Sequence, residues 1–301
     1  MLLGIDLGTT GIKAVVLRED GSLAASAGME YDSLYPQPGW VEQDPRTWVE
    51  VTRQVVRSLW RTEFSLADQI QAIGFSGQMH GMVLLDSSGI PLRPAIIWAD
   101  GRSQTQVDWL NRELGRDELS RITGNPVFPG FMLPSLLWVR ENEPEIWQKI
   151  DRVLLPKDYL RYVFTGEFAS DPSDASSTAL LDITRRQWSS EFLGRLGINP
   201  EWLPPIQESF QPVGALLARE AGMMGLRPGL PVVCGGSDQS CQALGNGIIT
   251  PGEVSCTIGT GGQVFAPTTA PHPDDHQRLH LFCHALPGMW HLEAATLSAG
   301  L

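Results

Sequence analysis

Apolar and polar positions alternate in three short runs near the start of the chain, Leu2 to Leu7, Ile12 to Leu17 and Ser22 to Ala27, separated by Gly8 to Gly11 and Glu19-Asp20-Gly21. Period-two runs between glycine turns predict an antiparallel meander. The period then lengthens. Asp44-Pro45 supplies an N-cap and a first-turn proline, and Trp48, Val51, Val55 and Leu59 follow at helical spacing, so a helix is predicted to cover one face of that meander. Ile70 to Phe75, Met82 to Leu85 and Ala95 to Trp98 read as further strands, and the stretch from Ser103 to about Phe164 as an inserted helical layer ending before Gly166. Pro231-Val232-Val233-Cys234 is an apolar strand, Gly235-Gly236 a tight turn, and Ser237 opens a helix to about Gly245. From residue 247 the pattern predicts strand, Gly/Thr turn, strand, turn and strand again.

Composition narrows the class. A chain of 301 residues, 42% hydrophobic and 19% charged, builds a large core and exceeds the usual single-domain size. Its formal net charge of -12 argues against nucleic acid as a partner, because a polyanion is gripped by clustered Lys and Arg. The run Met1 to Ile5 is too short for a signal peptide and no apolar stretch approaches membrane-spanning length, so a cytoplasmic protein without membrane contact is expected. Cys234, Cys241, Cys256 and Cys283 lack paired spacing, which suits reduced, buried thiols. The last residues, His291 to Leu301, are apolar where termini tend to be polar, and this suggests a second lobe only begun.

Two Gly/Thr turns carry the candidate chemistry, Gly8-Thr9-Thr10-Gly11 after Gly4-Ile5-Asp6-Leu7, and Gly259-Thr260-Gly261-Gly262 after Cys256-Thr257-Ile258. Such turns present successive N–H groups to an anion, so the pair predicts two lobes gripping the phosphates of one nucleotide. Asp6 lies in an apolar strand just before the first turn, where a carboxylate calls for a cation such as Mg²⁺, or else for hydrogen bonds from the turn itself. Asp238 stands at a strand-to-helix junction behind two glycines, placed either to accept a proton from a substrate hydroxyl or to cap the helix. Gln78, Met79 and His80 offer polar atoms and an adaptable apolar wall to a small polyol. Trp98, Asp100 and Arg102 fit a sugar site or a core Trp followed by an Asp/Arg pair. His276, His280 and Cys283 would share a helical face, but Pro271 and Pro273 and the alternation of Leu279 to Ala285 argue against a zinc site there.

These segments, with Pro38-Gly39-Trp40-Val41-Glu42-Gln43-Asp44-Pro45, Leu155-Pro156-Lys157-Asp158-Tyr159-Leu160 and Gly235-Gly236-Ser237-Asp238-Gln239, resemble the FGGY family of carbohydrate kinases almost from end to end. The resemblance implies an α/β, actin-like and ribonuclease-H-like fold of two lobes with the active site in the cleft: residues 1–245 as a complete, sugar-binding first lobe, 246–301 as the start of the second. It implies ATP-dependent, Mg²⁺-assisted phosphorylation of a sugar hydroxyl, most closely D-xylulose to D-xylulose 5-phosphate, with gluconate, ribulose or glycerol, or sugar binding without catalysis, as alternatives. By the same carry-over Asp238 is the general base, and Asp6 and Asp238 hold the metal. Gln78, Met79, His80, Trp98, Asp100, Arg102, Asp238 and Gln239 face the sugar; Gln239 stands where such kinases often have Asn. Asp6, Gly8, Thr9, Thr10, Gly11, Lys13, Gly259, Thr260 and Gly261 face the nucleotide. The family's adenosine pocket falls beyond Leu301, so the isolated chain is expected to bind sugar and turn over negligibly; a homodimer is compatible with the pattern.

Overall fold

A computed structural model describes residues 1–61, 65–258, 262–274 and 276–296. β1 (Leu2–Leu7) and β2 (Gly11–Leu17) form a hairpin, and β3 (Leu23–Glu30) continues the meander alongside β2. β4 (Ala72–Gly77), a little later than the pattern placed it, lies parallel to β1. β5 (Pro212–Ala215) makes an antiparallel edge with β6 (Pro231–Val233), which is parallel to β4. The resulting order is β5-β6-β4-β1-β2-β3, the ribonuclease-H-like arrangement that the resemblance implies. A two-residue strand, β7 (Gly236–Ser237), was not foreseen: only Gly235 makes the turn, at φ +82°, and Gly236 pairs with Ser76 of β4.

The alternation places Leu3, Ile5 and Leu7 of β1 and Ile12, Ala14 and Val16 of β2 on one buried face. α1 (Pro45–Leu59) covers that face with Trp48, Val55, Val56 and Leu59, and the Asp44 side chain caps it by accepting from the Arg46 N–H. Each such side chain contributes roughly 1.5–3 kcal/mol by leaving water. α2 (Pro156–Thr165) adds Leu160 and Phe164 and stops at Gly166 in the left-handed conformation.

The inserted layer has its own core, in which Leu110, Leu133, Leu136 and Leu137 of its helices meet Phe192 and Leu193. The two strands predicted before it do form, but shorter and off the central sheet: Val83–Leu85 pairs with Arg152–Leu154, and Ala95–Ile96 with Glu42–Gln43. After α3 (Asp238–Gly245) come β8 (Ser255–Ile258), β9 (Gly262–Thr268), β10 (His280–Cys283) and β11 (Trp290–Thr296), all antiparallel in the order β8-β9-β11-β10. Among the described residues no helix is long and apolar enough to cross a membrane.

Candidate active site

A cavity of about 400 Å³ opens where three parts of the chain converge: the β1–β2 turn, the loop after β4, and the start of α3 facing the second sheet. Thr9, Met79, His80, Trp98, Asp238 and Gln239 line it, together with Gln263 and Glu293 of the second sheet. Six residues singled out from the sequence are thus brought together around one space.

Each arrives there for a local reason. β1 and β2 leave a turn in which Gly8 N–H bonds the Gly11 carbonyl at 3.0 Å. A Cβ on Gly11 would come within 2.7 Å of the Met29 carbonyl oxygen, so only glycine fits. The Thr9 carbonyl accepts from Gln43 Nε2 at 2.7 Å and its hydroxyl from the Trp98 indole N–H at 2.8 Å, which fixes the threonine and the Trp98 ring against each other. Thr10 is exposed.

His80 sits in a γ-turn: Gly81 N–H bonds the Met79 carbonyl at 2.8 Å, and His80 has φ +70°. This is the rare, strained form of that turn, and strain of this kind persists only where neighbours hold it. Ser177 does so, its hydroxyl accepting from His80 N–H at 3.0 Å and its carbonyl lying 2.7 Å from Nδ1. A carbonyl only accepts, so Nδ1 carries the proton. Burial pushes the imidazole down to about 4, and Nε2 of the neutral ring is left as an acceptor. Phe131 stacks on the ring at 4.1 Å between centroids.

Asp238 is half-buried at the first turn of α3, where Ser237 is the capping residue and the Asp238 carboxylate accepts from Gln239 N–H at 2.7 Å. Burial, and after it the negative charge of Asp6, push its carboxyl up to about 7. The folded chain therefore holds this proton more tightly than the unfolded chain, whose carboxyl has the ordinary value of 3.8. Stability contributed by the protonated form is lost as pH rises toward about 7. Asp238→Asn in metal-free buffer should accordingly raise the melting temperature by several degrees at pH 8 and by less at pH 5. Equal shifts at the two pH values in thermal melts would contradict that environment.

Asp6 lies on the sheet face opposite Ile5 and Leu7, half-buried, accepting from the Ser76 hydroxyl at 2.7 Å. With Lys13, its cross-strand partner, it lines a separate and mainly apolar cavity of about 680 Å³. Neither Asp6 nor Asp238 forms an ion pair among the described residues. The charge of Asp6 bears on Asp238 from the neighbouring cavity, and carboxylate oxygens are the donors that Mg²⁺ takes, one or two of them with water and phosphate completing its shell.

Three predicted contacts point elsewhere. Gln78 is buried, donating to Gln43 Oε1 at 2.9 Å. Asp100 accepts from Val41 N–H at 2.6 Å and pairs with Arg102 at 2.7 Å. The Arg102 guanidinium lies 3.8 Å from the Trp40 ring and 2.7 Å from Glu42. This buried network stands behind the cavity wall and braces the strand leading to Trp98. Gly259, Thr260 and Gly261 lie outside the described residues.

Glu293 was missed by sequence reasoning. It is buried on the same strand face as His291, its Oε1 accepts from Gln263 Nε2, and its Oε2, with no hydrogen-bond partner among the described residues, lies 3.5 Å from His291 Nε2. A Glu two residues after a His in a strand was the available signal, since period two puts both on one face.

Residues 1–245 match the N-terminal domain of the FGGY family of carbohydrate kinases. The chain is similar to the xylulose kinase of Escherichia coli (strain K12), 42% identical over 99% of this chain and 61% of that protein. It is 32% identical to the gluconokinase of Bacillus subtilis (strain 168), over 95% of this chain and 55% of the relative. The crystal structure of a xyloylose kinase from Brucella ovis superposes with a TM-score of 0.94 at 41% identity, covering 99% of this chain and 61% of that one. The chain thus spans about 60% of the length of these relatives.

Proposed function

The chain belongs to the FGGY family of carbohydrate kinases, and on that premise we propose that it takes part in ATP-dependent phosphorylation of a neutral sugar, D-xylulose before others. Residues 1–245 then form the sugar-side lobe and the second sheet begins the facing one. The observation that carries the reading is the shared cavity in which Asp238, His80 and Thr9 meet. Asp238, poised near 7, takes the proton from the attacking hydroxyl, the positioning role that phosphoryl transfer asks of a base. His80 Nε2 accepts from a second hydroxyl, Met79 packs against the carbon chain, and Thr9 with Thr10 receives phosphate oxygens. Asp6 and Asp238 would hold Mg²⁺, which when bound would supply charge neutralisation for phosphoryl transfer.

Glu293 and Asp238 both line the cavity, and among the described residues no lysine or arginine does. A sugar acid would bring its carboxylate to two acidic side chains with no basic side chain to pair it, whereas a neutral sugar brings hydroxyls that carboxylates can accept from. This favours D-xylulose over gluconate, despite the similarity to a gluconokinase. Titration calorimetry on the chain should show D-xylulose binding at least about tenfold tighter than D-gluconate, and His80→Ala should remove most of that binding, since one hydrogen bond is worth about 1 kcal/mol and the Phe131 stack goes with it. Tighter binding of gluconate, or unchanged D-xylulose affinity in His80→Ala, would overturn the reading.

A further inference from the structure

One buried segment is hydrogen-bonded to three parts of the site: His80, the residue before Asp238, and the second sheet. Asp171 caps a single helical turn, Pro172–Ala175, which runs into a 3-10 turn, Ser176–Thr178. Ser173, Ser176 and Ser177 on it are all buried, and each hydroxyl works in the same sense. Ser173 donates to Asp171 Oδ2 and accepts from Ser237 N–H at 3.0 Å, on the residue just before Asp238. Ser176 donates to the Ser173 carbonyl and accepts from Cys283 N–H at 3.0 Å, in the second sheet. Ser177 donates to the Asp174 carbonyl at 2.7 Å and accepts from His80 N–H at 3.0 Å. The proton of each hydroxyl is spent inside the segment and the lone pair is offered to the site.

The segment is itself tied down. Asp171 Oδ2 also accepts from Ser173 N–H at 2.9 Å and Ser209 Oγ at 2.8 Å, and Oδ1 lies 3.1 Å from Lys157 Nζ. Gly236 gives no slack on the far side, because a Cβ there would stand 3.1 Å from Ser173 Oγ. A segment that needed only to fill space would need no hydroxyls, since alanine fills a buried small-residue position without polar atoms to satisfy.

We infer that Ser173 and Ser177 are positioning residues: from one rigid turn, Ser173 sets the strand that carries Asp238, and Ser177 sets the strained backbone that carries His80. The distance between base and sugar-holding histidine is thereby fixed by eight residues rather than by the packing of distant elements. Pre-organisation of this kind matters because a misplacement of about 1 Å can cost 10²-fold in rate.

The inference rests on the proposed function, and its test separates the two. Ser173→Ala and Ser177→Ala are measured for sugar KM, kcat and melting temperature in the catalytically competent gene product, with the Ser→Thr variants, which keep the hydroxyl, alongside. Ser177→Ala is expected to raise the sugar KM about tenfold with kcat within twofold. Ser173→Ala is expected to lower kcat about tenfold with sugar KM unmoved. Thr at either position should restore much of the loss. Should an alanine variant not fold, the near-isosteric Ser→Cys change, with a weaker acceptor, should give the same split at smaller size. A parent that does not phosphorylate a neutral sugar defeats the functional reading. A working parent whose variants shift KM and kcat together with melting temperature, or shift neither, overturns the positioning role.

Discussion

Asp238→Asn in the complete enzyme should lower turnover by about 10²–10⁴, the usual loss when a general base is removed, while sugar affinity stays within a few-fold. Asparagine keeps the shape and one acceptor oxygen, so the bond from Gln239 N–H survives and the start of α3 is not disturbed. What is lost is the capacity to take a proton, together with one carboxylate charge for Mg²⁺. A coupled ADP-release assay, paired with calorimetric titration of D-xylulose, separates the two effects. Turnover within a few-fold of the parent would reduce Asp238 to a residue of the first helical turn.

The second large effect lies beneath the site. Lys157 is fully buried with its Nζ 2.6 Å from Asp158, 3.1 Å from Asp171 and 3.7 Å from Asp174, and Arg161 shares Asp158 at 2.9 Å. Burial works against the ammonium, but the three carboxylates hold its proton more firmly than usual. Burial, with the charges of Asp158 and Asp171, drives the carboxyl of Asp174 well up, so the cluster comes close to charge balance. Lys157→Met leaves buried carboxylates uncompensated, and breaking one side of such a pair costs about 3–5 kcal/mol. In a domain of this size that is about 10 °C or more in melting temperature. Adding Asp171→Asn removes one stranded charge and should recover part of the loss. A methionine variant that melts within a degree or two of the parent would mean the cluster is solvated or already neutral.

The sequence made the hairpin and α1 legible because their information is local. Alternation, a glycine turn and an Asp-Pro start each act within a few residues. Val83–Leu85 and Ala95–Ile96 were legible as strands, but nothing in a period-two run says which partner lies across from it, and both pair away from the central sheet. The cavity residues Thr9, Met79, His80, Trp98, Asp238 and Gln239 were found because glycine turns and strand ends mark where ligands gather. Asp100 and Arg102 carry the same marks, yet they are buried between Trp40 and Glu42; a sequence does not show which charges an aromatic ring will cover. Glu293 and the Lys157 cluster were passed over for a related reason. Charged residues are mostly exposed, and only the fold reveals a carboxylate turned into a cavity or a lysine among three aspartates.

The central position of β4 has a consequence for how the chain is made. β1, β2 and β3 can zip together as they leave the ribosome, and β4 then joins β1 after α1 and a single helical turn, Ser65–Asp68. The other edge of β4 is completed only by β6 and β7, which arrive after the whole inserted layer has been synthesised. Through that interval a nascent sheet displays an unpaired strand holding Ile73 and Phe75, the kind of open edge on which partly folded chains associate. The strand that closes the edge is the one that delivers Asp238. Assembly of the base and protection of the nascent chain are therefore one event, and the candidate site cannot form before the aggregation hazard has passed.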